Sequence, residues 1–107
     1  MERNRKLDAR IILADVPPEK AFYCHEHGYF RNLQELLSGL ENIPDDIYRY
    51  HAGPENNDFA NWIRDVIGDT KLARDMMKAP GRDAAIKAVA GRVKYLSARP
   101  EVVSGAV

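Results

Sequence analysis

Asn56-Asn57-Asp58-Phe59-Ala60-Asn61-Trp62-Ile63-Arg64-Asp65-Val66-Ile67-Gly68-Asp69 carries more structural information than any other part of this chain and includes its only Trp. Asn57 or Asp58 is a helix-start residue, because a short side-chain oxygen can accept from the unpaired N–H groups of a first turn. Phe59, Trp62, Ile63, Val66 and Ile67 then fall within roughly 140° of one another at about 100° per residue. Asn61, Arg64 and Asp65 take the opposite side. Gly68 ends the helix, and Asp69 is placed to cap the next one, whose inner face is Leu72, Ala73, Met76 and Met77.

Working outward, Pro44-Asp45-Asp46 opens a short helix with acidic groups at its positive end. Its expected buried side is Ile47, Tyr50 and His51, and Ala52-Gly53-Pro54 stops it. Further upstream, Asn32 with Glu35 matches a capping box, and Leu33, Leu36, Leu37 and Leu40 form one apolar stripe that weakens at Gly39 and Asn42. Ala21 to Phe30 reads as a small β-hairpin with aromatics on both arms and Gly28 at positive φ. Ala9 to Val16 reads as a short strand or helical turn broken by Pro17-Pro18. Downstream of the Pro80-Gly81 break, a last helix from about 83 to 98 buries Ile86, Val89, Ala90, Val93 and Leu96, while Lys87 and Lys94 face away.

The expected fold is therefore α+β and mostly α: a short N-terminal β-hairpin packed against four or five short helices. A 107-residue chain supports a single domain, 1–107, with loose ends at about 1–9 and 100–107. With 45% hydrophobic and 30% charged residues the composition is that of a globular protein. The longest apolar run, Ile11-Ile12-Leu13-Ala14, is too short to span a bilayer, and the N-terminus lacks the apolar core of a secretory signal. One cysteine, Cys24, excludes an internal disulfide and suits a reducing, cytoplasmic location.

Val16-Pro17-Pro18-Glu19-Lys20-Ala21-Phe22-Tyr23, Tyr50-His51 and Asn57-Asp58-Phe59-Ala60-Asn61-Trp62-Ile63 together resemble a small prokaryotic domain of unknown function. That group shows an aromatic hairpin with a turn glycine, a leucine helix, Asn-Asp-Phe-x-x-Trp-Ile, and Gly-Asp before a Leu-Ala helix. The resemblance covers about Val16 to Ala73 and implies a fold and an interaction-module role, with no activity to transfer. His25-Glu26-His27 lies outside its pattern.

Charge and chemistry define the functional candidates. The 16 basic and 16 acidic residues balance overall. Between Lys71 and Arg99, however, eight basic residues face only Asp75 and Asp83, a formal +6 that suits phosphate or an acidic partner. The αα pair around Gly68 has a helix-turn-helix outline exposing Lys71, Arg74 and Lys78, and with Lys87 and Lys94 of the same basic segment these are the candidate nucleic-acid contacts, though Asp75 repels phosphate. His25 and His27 are weak metal candidates if they share a strand face, with His51, Glu55 or Asp58 completing the set. The bland alternative is a wet hairpin turn with Cys24 packed as a small hydrophobe. His51 with Asp58 and Trp62 has the composition of an acid/base pocket, but no nucleophile motif or phosphate-binding loop accompanies it.

The reading that results is a non-catalytic protein-interaction or adaptor domain that can self-associate, without a cofactor and without membrane attachment. Its partner contacts are Tyr29, Tyr48 and Arg49, and its partner is a protein or a second copy. Nucleic-acid association through the basic segment is the alternative, a metal-binding module the second, and an enzyme ranks behind them.

Overall fold

The structure, a computed structural model, describes residues 9–98. The loose ends expected at 1–9 and 100–107 lie almost wholly outside them, as does Arg99. The elements run α1 (Ala9–Leu13), a 3-10 turn (Pro18–Lys20), β1 (Phe22–Tyr23), β2 (Tyr29–Phe30), α2 (Leu33–Asn42), α3 (Asp45–His51), α4 (Asp58–Trp62), a π turn (Ile63–Ile67), α5 (Thr70–Lys78) and α6 (Arg82–Ser97). The class is α+β, mostly α. The segment that reads as a strand or a helical turn is a helix, α1, so that among the described residues six helices accompany the hairpin, against an expected four or five.

The hairpin has two residues per strand, with Phe22 opposite Phe30 and Tyr23 opposite Tyr29. Because side chains alternate across a strand, the Phe pair goes inward and the Tyr pair outward. Phe22 and Phe30 are buried, whereas Tyr23 and Tyr29 are 52% and 64% exposed. Gly28 takes φ +89°, and Glu26 also enters the left-handed region at +61°.

Phe22 is the hub of the aromatic core. Its ring centroid lies 5.0 Å from Phe59, 5.1 Å from His51 and 5.9 Å from Trp62. The indole N–H donates to the Lys20 carbonyl at 2.7 Å, so the one polar atom of the Trp is satisfied inside and ties the 3-10 turn to α4. Leu33, Leu36 and Leu40 of α2, Leu72 and Met76 of α5, and Val89 and Leu96 of α6 complete the interior.

Local caps appear where the side chains require them. Asn32, Asn57 and Asp69 accept from the backbone N–H three residues on, at Glu35, Ala60 and Leu72. Asn57, not Asp58, is therefore the cap of α4. Glu35 reaches back to the N–H of Arg31, one residue before the cap, at 2.8 Å. The helix expected to run unbroken to Ile67 changes after Trp62 into a π turn, closed by Gly68 N–H on the Ile63 carbonyl at 2.8 Å. The wider turn keeps Ile63 and Ile67 both inside, and Gly68 leaves it at φ +90°.

Two expectations about inner faces are reversed. In α3 the buried residues are Tyr48 and His51, with Ile47 half-buried, and Tyr50 is 66% exposed. At about 100° per residue Ile47, Tyr48 and His51 share one stripe, which places Tyr50 on the far side. In α5 Met77 is 51% exposed, since Leu72, Ala73 and Met76 already fill the inner face.

Candidate functional site

His51 is the residue on which an acid/base reading stands or falls. Its Nδ1 lies 3.0 Å from Asp58 Oδ2, and its Nε2 accepts from the backbone N–H of His25 at 3.2 Å. An accepting Nε2 carries no proton, so Nδ1–H is the group that donates to Asp58. Asn56 holds the other Asp58 oxygen at 2.9 Å. Both ring nitrogens are thus occupied, and the imidazole, 6% exposed among Phe22, Phe59 and Tyr50, is a structural link between hairpin and helices.

The metal geometry also fails at its premise. His25 and His27 lie in the loop between β1 and β2 rather than on a strand, so alternation does not bring them to one face. The His25 ring lies tilted against Tyr50 at 5.1 Å, and Cys24 is fully buried with its N–H and carbonyl both bonded across the loop. Among the described residues no group of three or more His, Cys, Asp or Glu is placed to hold a metal ion.

Of the basic candidates, Lys71 pairs with Asp75 at 2.8 Å. Arg74, Lys78, Lys87 and Lys94 make no ion pair among the described residues. Two further cations of that segment turn inward. Arg92 grips the buried Asp69, and Arg82 donates to the Leu40 and Ile43 carbonyls at 2.9 and 2.5 Å while pairing with Asp45. Arg82 thereby closes the negative end of α2. The formal surplus of the segment is smaller at the surface than in the sequence.

The fold separates Tyr29 from Tyr48 and Arg49, which stay together on α3. Tyr48 is buried, 17° from parallel with the Phe59 ring at 5.8 Å and with the Arg82 guanidinium 5.8 Å from its centroid. Burial pushes its hydroxyl pKa up, and the Arg82 charge opposes that. Tyr48 and the exposed Arg49 instead line a cleft of about 580 Å³ with Asp45, Met77, Gly81 and Arg82. Tyr29 stands on the hairpin's outer face, its ring 5.2 Å from Tyr23. Beside it lies a hollow of about 380 Å³ bounded by Pro18, Ala21, Tyr29 and Arg31. Tyr23 and Tyr50 were not among the expected contacts; strand alternation, in the first case, and helical spacing, in the second, both mark them as outward.

No helix among the described residues is long and apolar enough to cross a membrane. Comparison of the chain with family models, curated proteins and solved structures gives no match.

Proposed function

We propose that this chain is a small non-catalytic protein-interaction domain that docks through the outward aromatic face of its hairpin, on a protein partner or on a second copy of itself. The observation that carries the reading is the Tyr23–Tyr29 pair, two rings in contact and both more than half exposed. Tyrosine offers a large, stiff contact surface with a polar tip, which is why it concentrates at the energetic centres of interfaces. The adjacent hollow of Pro18 and Ala21 suits an apolar side chain from the partner, with Arg31 at its rim. A cytoplasmic setting goes with it, because Cys24 is kept as a buried free thiol.

The test is a Tyr23→Ser, Tyr29→Ser double variant, compared with wild type by sedimentation and by capture from a native lysate. Loss of the complex or dimer at an unchanged unfolding midpoint is the expected result. Retention of every wild-type association refutes the reading.

A second reading keeps Arg74, Lys78, Lys87 and Lys94 as phosphate contacts, on the strength of their having no ion-pair partner among the described residues. It requires binding to duplex or single-stranded nucleic acid whose affinity falls steeply with salt. A mobility-shift series at low ionic strength with no shift removes it.

A further inference from the structure

We infer that the cleft between α3 and the start of α6 binds a small organic oxyanion, held at its charged end by Arg49, the Tyr48 hydroxyl and the Arg82 N–H that opens α6. This site is independent of the hairpin's aromatic face.

Three observations converge on it. Tyr48 is 8% exposed and lines the cleft, yet its hydroxyl has no hydrogen-bond partner among the described residues. Polar groups within a fold are normally hydrogen-bonded, and this one, on a cleft wall with no partner among the described residues, has only solvent or an occupant to bond. The ring itself is taken up by Phe59 and the Arg82 guanidinium, so the hydroxyl is the polar group Tyr48 can offer to an occupant.

The second observation is the start of α6. This is the longest helix among the described residues, 16 residues, and its cap is Gly81, which supplies no side-chain acceptor. The N–H groups of Arg82, Asp83 and Ala84 are left without a side-chain cap at the positive end of the helix dipole, where anions are favoured. Gly81 and Arg82 are part of the cleft wall. Asp83 sits in that first turn but is exposed and outside the cleft lining.

The third is charge. The cleft holds two guanidinium groups, Arg49 and Arg82, against one carboxylate, Asp45. Asp45 is neutralised chiefly by its hydrogen bond from Arg82 and, at longer range, by Arg49. Arg49 makes no hydrogen bond or ion pair among the described residues, so the cleft keeps one positive charge for an incoming anion. The exposed Met77 gives an apolar wall, and about 580 Å³ lies within the usual range of roughly 300–1,000 Å³ for small-molecule sites. An anion with an apolar body fits better than a bare ion.

The experiment is a titration of the isotopically labelled full chain with phenyl phosphate and with benzoate, followed by backbone amide and Tyr ring shifts, with sodium chloride at matched ionic strength as reference. Saturable shifts at Arg82, Asp83, Ala84 and Tyr48 with one common Kd are expected, and the tighter of the two probes identifies the head group as phosphate or carboxylate. Arg49→Ala and Tyr48→Phe each weaken binding, the first by about tenfold, the loss of one charge-assisted contact. Lys87→Ala, outside the cleft, leaves it unchanged. Tyr48→Phe keeps the ring and should not lower the unfolding midpoint, so its effect on binding is not a folding defect. Shifts that never saturate, that spread over all basic residues, or that Tyr48→Phe leaves untouched overturn the assignment.

Discussion

Asp69 and Arg92, 23 residues apart, are joined inside the protein by two hydrogen bonds, Nε to Oδ2 at 2.7 Å and Nη2 to Oδ1 at 3.1 Å. Asp69 is fully buried and also accepts the Leu72 N–H, so one carboxylate both caps α5 and anchors α6. Such a pair is poor evidence of net stability but strongly resists removal of one member, because the survivor is a buried charge without compensation. Arg92→Ala should cost about 3–5 kcal/mol in urea unfolding. Asp69→Asn with Arg92→Met keeps a capping oxygen, buries no charge and should recover most of that loss. A double variant as unstable as Arg92→Ala alone contradicts this account.

The difference between what was legible and what was not follows from sequence distance. Asn32, Asn57 and Asp69 were readable as caps, since each bond spans three residues and depends on a local backbone shape. The hairpin was readable for the same reason, although its Phe-in, Tyr-out alternation is a feature that the structure adds. Arg82 looked like one more member of a basic segment, yet it serves the carbonyl end of α2, 42 and 39 residues earlier. Likewise the sequence offers His51 and Asp58 as an acid/base pair, but the N–H of His25 that occupies Nε2 comes from the hairpin loop. Residue type alone does not distinguish Tyr48 from Tyr29, whereas burial does. Helical spacing in α3 already contained that answer, because Ile47 and His51 define the stripe to which Tyr48 belongs.

Gly39 shows the same limit and yields a second prediction. It reads as a weakening helix end, but lies inside α2 beneath the Phe30 ring. A Cβ there would overlap Phe30 Cζ and come within 2.6 Å of Cε2. Replacing a mid-helix Gly by Ala ordinarily gains about 1 kcal/mol of helix propensity. Here Gly39→Ala should instead destabilise by about 1–3 kcal/mol net, as overpacking does. In a Phe30→Leu background the same change should cost less, which a double-mutant cycle measures. A stabilising Gly39→Ala in the wild-type background rules out the close approach.

The hydrogen bonds of His51 predict its tautomer. Nitrogen shifts of the ring at neutral pH should report a protonated Nδ1 and a bare Nε2, the reverse of the form favoured in water. Asp58→Ala leaves the Nδ1–H without its acceptor in a mostly buried setting and should cost about 1–3 kcal/mol. An Nε2–H tautomer in the folded protein is incompatible with the His25 bond and would reopen the acid/base reading.

Cys24 supplies the pH dependence. Burial raises its thiol pKa above the ordinary 9.0, because the thiolate would lose its hydration inside. A folded-state pKa above the unfolded one contributes stability that is complete below pH 9 and is lost as pH rises through the folded value. Over that window the unfolded chain releases a proton that the folded chain retains, giving a slope of at most about 1.4 kcal/mol per pH unit. Tyr48, also raised by burial, adds to the alkaline loss above its own ordinary 10.0. The Cys24 share is therefore read as the difference in slope between wild type and Cys24→Ala from pH 8.5 to 10, the variant being flatter. At pH 8 a thiol reagent should label wild type only as fast as the hairpin opens, with a rate that climbs with urea. Rapid labelling that is indifferent to urea would mean that the sulfur is open to solvent in the native fold.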